Sequence, residues 1–411
     1  EDFHLFEHKI LYYETSRGCP FCCSYCLSSV DKTVRFRSLP IVKKELDAFL
    51  EAKVPQVKFV DRTFNCNRQR AIDIWSYLVE HDNGITNFHF EISSDLLGEE
   101  ELELFAKMRP GLIQLEIGVQ STNGETVDAI HRHMDLDKLF HYVDSVHELG
   151  NIHQHLDLIA GLPYENYERF GCSFDDLYAH EPDQLQLGFL KVLKGTMMEE
   201  EVKKYSILYR NQPPYEVLGT KWLSYDEIIL LKGVEELVEL YYNSGQYTLT
   251  LKYFESPFRF YEMFSAWYRG KGYHKLNHNR LEKYNILREF LREHIDENEW
   301  DTLDEIMLYD MYLRENVKGR PAWAKDTAQY KKEWKALYRE QGEKLFPEDV
   351  QAGIYDSKRA ANQSHIEVFE INIKKFEQSG QVEKKQVFCL FDYSRRNPLN
   401  RAARTVEWEI L

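Results

Sequence analysis

Six short strand-like runs recur along the first half of the chain, separated by amphipathic stretches. They read KILYYETS, PQVKFVDRT, TNFHFEISS, LIQLEIGVQS, HQHLDLIAGLP and QLQLGFLKVL. Runs of this length, rich in β-branched and aromatic residues, predict strands. The 3.6-residue spacing between them predicts helices, for example near Ile41–Lys53 and Arg68–Glu80. Such alternation predicts parallel βα units with right-handed crossovers, hence an α/β fold. Strict alternation in the fourth run places Gln114, Glu116, Gly118 and Gln120 on one strand face. After Thr196 the pattern turns helical, with segments expected at Met197 to about Asn211, Ser224–Tyr242, Ser256–Trp267, Asn279–His294 and Leu303–Asn316. Ser224 followed by Glu227 reads as a capping box, and NQPPYEVLGT reads as a loop. SHIEVFEINI and KQVFCLFDYS predict a terminal β-hairpin joined by a polar turn region. The expected division is residues 1–196 and a mostly α-helical C-terminal domain over 197–411.

With 411 residues and 43% hydrophobic content, the chain can build the cores of two to three domains. Its formal charge of −16 opposes a bare phosphate backbone, so bulk nucleic acid is not an expected partner and a small molecule is. No run approaches the roughly 18 apolar residues of a membrane span, and no signal peptide is recognisable, so a cytoplasmic protein is expected. Seven cysteines, four of them between Cys19 and Cys26, suit metal ligation in a reducing compartment better than a disulfide framework.

Three spacings coexist in TSRGCPFCCSYCLSS. Cys19 with Cys22 gives C-x2-C, Cys22 with Cys26 gives C-x3-C, and Cys19, Cys23 and Cys26 give C-x3-C-x2-C. A structural zinc site would need a second ligand pair, and Cys66, Cys172 and Cys389 stand alone in sequence. The triad can instead hold three irons of a 4Fe–4S cluster, leaving the fourth open to a chelating molecule. Cys22 would then be a loop residue without ligand duty. Asp61, Glu91, Glu116, Gln120 and Asp157 sit at the ends of apolar runs, where a barrel presents functional groups. Buried carboxylates there need a ligand or cations, and a structural ion-pair network is the alternative for Glu91, Asp157 and Glu116.

With Tyr25 directly before its last cysteine, the triad resembles the signature of the radical S-adenosylmethionine (radical SAM) superfamily. The resemblance implies a partial (β/α)6 TIM-like barrel over about Lys9 to Thr196. It implies a 4Fe–4S cluster on Cys19, Cys23 and Cys26, with SAM chelating the open iron and Tyr25 against its adenine. An electron donor such as flavodoxin or ferredoxin is the implied partner. IGVQS, then HRH, then DLIAGLP resembles the oxygen-independent coproporphyrinogen oxidase branch. That likeness implies Gln120 and Arg132 at the methionyl end of SAM, with Arg132 on its carboxylate, and Glu91 and Asp157 on the ribose hydroxyls. The usual Gly-Gly-Glu segment is replaced by FVDRTFN, as in relatives with a cobalamin domain. Backbone around Arg62 and Thr63 is the expected amino-group contact instead. PPYEVLGTKWLSYDEI, YYNSG and the closing strands resemble a poorly characterised domain found after cobalamin-binding and radical SAM pairs. A cobalamin domain would lie before Glu1.

Three functions fit. In the first, similarity to queuine lyases implies C–N cleavage of a 7-deazapurine. Glu14, Asp61 and Glu116 would be candidate carboxylates for guanine-type N–H donors, Arg62 would serve a carbonyl, and a Tyr or Phe would stack. The second is a cobalamin-dependent methyltransferase, and the third a non-catalytic cluster or haem carrier.

Overall fold

The computed structural model describes residues 9–317 and 319–409. Six strands, β1 (Ile10–Tyr13), β2 (Gln56–Phe59), β3 (Asn87–Ile92), β4 (Ile113–Gln120), β5 (His153–Ala160) and β6 (Gln184–Phe189), form one sheet in sequence order. Every neighbouring pair is parallel, as the strand–helix alternation requires. β1 and β6 are the sheet edges and do not pair with each other among the described residues.

Burial alternates residue by residue along β4 and β5, so each strand offers one face to the helices and one to the concave side. The helix-facing side is apolar. Phe59, Phe88 and Phe90 are fully buried there, and Phe90 packs against Trp75 of helix Arg68–Glu80. The other face is polar. It carries Lys58 on β2, Glu91 on β3, Gln114 and Glu116 on β4, and His153, His155 and Asp157 on β5. Closed barrels fill this space with branched apolar side chains; here it is left to polar groups and whatever they bind.

The chain divides into two compact units. The first runs past Thr196 to Asn243 and adds Ser256–Ala266. Asn243 explains part of that reach: its side chain accepts from Leu185 N at 2.9 Å and donates to Leu185 O at 3.0 Å, continuing the β6 edge. Ser224 caps helix Tyr225–Leu237 reciprocally with Glu227, as expected. The second unit contains helices Arg280–His294 and Trp300–Arg314. Its antiparallel sheet is formed by β7 (Ser364–Ile371), β8 (Lys384–Arg396) and β9 (Ala403–Glu409).

Two local expectations need correction. Only Met197–Glu200 is helical in the segment expected to run to Asn211, because Ser206 adopts φ +51° and Leu208–Tyr209 pairs with Val217–Gly219. The two terminal strands do pair, but helix Ile373–Ser379, capped by Asn372, replaces the turn, and β9 adds a third strand.

Candidate functional site

A cleft of about 190 Å³ opens where the cysteine loop meets the strand ends of β3, β4 and β5. The loop is pinched at its base by a two-stranded ribbon, Ser16–Arg17 against Arg35–Phe36. Gly18 makes the pinch possible: it sits at φ +100°, and a Cβ there would meet Thr33 O at 2.3 Å. Asp61 fastens the same base. It is 1% exposed and accepts from Thr15 N at 2.9 Å, Thr15 Oγ1 at 2.7 Å and Ser16 Oγ at 2.5 Å. Deeper in the loop, Ser24 N donates to Ile130 O, and Met198 N donates to Ser24 O, both at 2.8 Å.

Cys19, Cys23 and Cys26 all line the cleft; Cys22 does not. Cys19 Sγ lies 3.7 Å from Thr63 Oγ1, and Arg132 Nη1 donates to Cys23 Sγ at 3.8 Å. Burial raises the Cys23 thiol, and the Arg132 charge opposes that rise. No group of three or more His, Cys, Asp or Glu side chains converges on a single metal-ion position among the described residues. Three thiols that each take a different iron occupy separate corners of a cubane and need no such convergence. Tyr25 stands beside the triad with its phenol raised by burial.

Across the cleft, β4 ends in a bulge at Gly118 to Gln120, and Gln120 takes φ +74°. The missing Cβ of Gly118 leaves room for the Gln120 amide, whose Nε2 would lie 2.2 Å from it. Arg132 Nη2 donates to Gly118 O. Among the described residues, three buried atoms here have no hydrogen-bond partner: Gln120 Oε1, Arg132 Nε and Asp157 Oδ1. Buried polar atoms are normally paired, so the cleft offers an unpaired donor and unpaired acceptors to a polar ligand. Burial pushes the Asp157 carboxyl well up, helped by the charges of Glu116 and Glu91. Burial and Glu116 raise Glu91 too, while Arg62 sits 3.8 Å from it.

Glu116 has a different environment. Its Oε2 lies 2.7 Å from Lys58 Nζ and 2.8 Å from His89 Nε2. The close approach of the His89 ring, reinforced by the Lys58 ammonium, brings its carboxyl down to about 2 against the cost of burial. Glu116 still lines the cleft, and among the described residues no hydrogen bond engages its Oε1.

The structure therefore gathers Cys19, Cys23, Cys26, Tyr25, Arg62, Thr63, Glu91, Glu116, Gln120, Arg132 and Asp157 around one cleft. It does not bring Glu14 or Asp61 there. Glu14 pairs with Arg17 at 2.6 Å on the surface, and Asp61 is fully occupied by the loop base. Sequence reasoning missed Phe21 and His133, which also line the cleft. Their positions between cysteines and beside Arg132 were available signals. It also missed Glu165. This carboxylate is 1% exposed and accepts from Ser121 Oγ at 2.6 Å and Ser173 Oγ at 2.8 Å. It thereby clamps the turn that follows Gln120.

Residues 13–177 match the sequence model of the radical SAM superfamily, and residues 203–391 match one described as protein of unknown function DUF4080. An uncharacterized methyltransferase of Pyrococcus horikoshii is 26% identical over 189 residues, 45% of this chain and 40% of that protein. An oxygen-independent coproporphyrinogen III oxidase of Salmonella typhimurium is 31% identical over 107 residues, 25% of this chain and 23% of the relative. The chain thus spans less than half the length of these curated relatives. Among solved structures, the radical SAM methyltransferase TsrM from Kitasatospora setae aligns with TM-score 0.45 and 14% identity, over 74% of this chain and 61% of that one.

The donor set suits the groups that such a domain uses. Three cysteines face one cleft, a guanidinium with a free N–H suits a carboxylate, and a cluster of acids suits a sulfonium cation and ribose hydroxyls. Residues 13–177 thus form a radical SAM domain, and the cofactors of that superfamily are a 4Fe–4S cluster and SAM.

Proposed function

We propose that this protein is a radical SAM lyase that cleaves the C–N bond of queuine and releases 7-aminomethyl-7-deazaguanine. Cys19, Cys23 and Cys26 would hold the cluster. Arg132 and Gln120 would take the methionyl end of SAM, Glu91 and Asp157 the ribose, Tyr25 the adenine, and backbone around Thr63 the amino group. When bound, the cluster and SAM supply a 5′-deoxyadenosyl radical that removes a substrate hydrogen. The chain's own part is to orient both partners. A reducing, cytoplasmic setting suits seven unpaired thiols.

The observation that carries the substrate reading is Glu116. Its carboxylate is held ionised by Lys58 and His89, and one oxygen remains open on the cleft. A fixed anion at the floor of a polar pocket suits the N–H donors of a guanine-type edge or an ammonium group. Arg62, half exposed at the rim, would serve the carbonyl oxygen. Because the folded-state carboxyl titrates near 2, below its ordinary 4.5, Glu116 stays ionised from mildly acidic to alkaline pH. Its contribution to stability is present above about 4.5 and is lost as pH falls toward about 2.

Anaerobic incubation with SAM, reductant and queuine, followed by mass spectrometry, tests the reading. Formation of 7-aminomethyl-7-deazaguanine with 5′-deoxyadenosine is the expected result. Glu116→Gln is expected to weaken substrate binding by roughly 1–3 kcal/mol while sparing SAM cleavage without substrate. Production of 5′-deoxyadenosine without the deazapurine product would leave only the superfamily chemistry. A methylated product would instead favour the methyltransferase reading, to which the Pyrococcus relative gives support. No 5′-deoxyadenosine at all would favour a carrier.

Glu165 bears on the same site from behind. Glu165→Ala is expected to release the Ser121 clamp and cost roughly 1–3 kcal/mol of SAM affinity at unchanged iron content. Glu165→Gln, which still accepts the two serine hydroxyls, should stay close to wild type in the same calorimetric titration.

A further inference from the structure

The turn that follows β5 carries an exposed aromatic side chain in an unusual backbone state. Tyr164 is 41% exposed and adopts φ +64°, in the left-handed region that bulky residues avoid. Glycine would sit there without strain. Asn123, from the turn after β4, holds the conformation: its Nδ2 donates to Tyr164 O at 2.8 Å and to Thr126 Oγ1 at 2.9 Å. Strain of this kind persists where the side chain it positions has a use.

Here the strain sets a ring onto an aromatic cluster. The Tyr164 ring centroid lies 4.5 Å from that of Trp222 and 6.0 Å from that of Tyr205, and the Tyr205 and Trp222 centroids are 6.0 Å apart. Tyr205 is buried and forms the base, while Trp222 is half-buried. Two ammonium groups already lie against these rings. Lys204 Nζ is 4.4 Å from the Tyr205 centroid, and Lys221 Nζ is 5.7 Å from that of Trp222. Lys204 is shared with Glu201 at 2.6 Å, whereas Lys221 is exposed and makes no ion pair among the described residues. With the cation–π positions filled from within, a further cation is repelled and an anion is attracted. The open surface of Tyr164 offers stacking to a flat ring. None of these residues lines the cleft, so the cluster is a separate feature of the strand-end surface.

We propose that Tyr164, Trp222 and Lys221 form a second binding site, for a flat heterocycle that carries an anionic group, as a purine nucleoside monophosphate does. The base stacks on Tyr164, which Trp222 backs, and Lys221 faces the phosphate. The Asn123 tether and the Trp222 ring fix Tyr164 before the ligand arrives, so little side-chain freedom is lost on binding. Lys221 is anchored through its backbone, whose N donates to Tyr205 O at 3.1 Å. The site is independent of the reaction assigned to the cleft and needs neither cluster nor SAM.

Calorimetric titration of the full chain with 5′-GMP, guanosine and inorganic phosphate tests the site. Wild type should bind GMP more tightly than guanosine, and the difference should shrink as salt rises. Phosphate alone should bind far more weakly than GMP. Tyr164→Gly removes the ring and relieves the strained backbone, so it should cost GMP about tenfold in affinity while the melting temperature holds. Tyr164→Phe, which keeps the stacking surface, should bind as wild type does. Lys221→Glu should weaken GMP and leave guanosine unchanged. No GMP binding by wild type, or equal binding by wild type and Tyr164→Gly, would overturn the site. So would phosphate binding as tight as that of GMP. Loss of GMP binding in Glu116→Gln but not in Tyr164→Gly would put the nucleotide in the cleft, and would overturn it too.

Discussion

A Cys23→Ala protein, reconstituted anaerobically with iron and sulfide, is expected to lose its 4Fe–4S cluster and all reductive SAM cleavage. The argument is geometric. Cys19, Cys23 and Cys26 share one cleft, and Cys19 and Cys23 are nearly buried in it. The loop that carries them is pinned at its base by Asp61 and in its middle by Ser24, so the three thiols are held in place relative to the cleft. Cys22 is the nearest substitute in sequence, yet it does not line the cleft. Cys22→Ala should therefore keep both cluster and cleavage. Iron and sulfide counting, with EPR of the reduced protein, reads the outcome. A Cys23→Ala protein with a full cluster and normal cleavage would sink the triad assignment.

The second large effect belongs to Arg132. Two of its nitrogens are committed to the protein, one to Gly118 O and one near Cys23 Sγ, so the guanidinium is already oriented. Its Nε is buried and free. A ligand carboxylate arriving there gains a charge-assisted bond without having to order a flexible side chain. Arg132→Ala should cost SAM binding on the order of 1.5–3 kcal/mol, or roughly 10- to 150-fold in affinity. Arg132→Lys should recover only part of this, because an ammonium lacks the planar fork. Calorimetric titration at matched iron content checks it. Unchanged SAM affinity in Arg132→Ala would move the methionyl end elsewhere in the cleft.

The parts of this molecule that were legible in its sequence are those written locally. The cysteine triad occupies eight residues, and strand alternation reports which side chains share a face, so the parallel sheet, Gln120 and Glu116 could be placed on it. What was not legible depends on register between distant strands. Glu116 meets Lys58 and His89 only because β2, β3 and β4 lie side by side, and nothing near Glu116 in sequence announces either partner. Asp61 illustrates the converse. A carboxylate at a strand end resembles a substrate ligand until Thr15 and Ser16, 45 or 46 residues earlier, are seen to satisfy it. Glu165 was silent for the same reason, since its serine partners come from two other elements. In the second unit, β9 was hidden by its polar composition.

Because the apolar side of the sheet faces the helices and the concave side is polar, folding and ligand occupancy are largely separate ledgers of heat capacity. Phe59, Phe88, Phe90, Trp75 and Phe105 are fully buried on the helix side, each stabilising the fold by about 1.5–3 kcal/mol. The heat-capacity change of unfolding follows such apolar burial, and the cleft contributes little to it. Cluster and SAM then add stability by mass action alone, as tight ligands of an already folded sheet. A metal-free preparation should melt cooperatively at a lower temperature with nearly the same heat-capacity step.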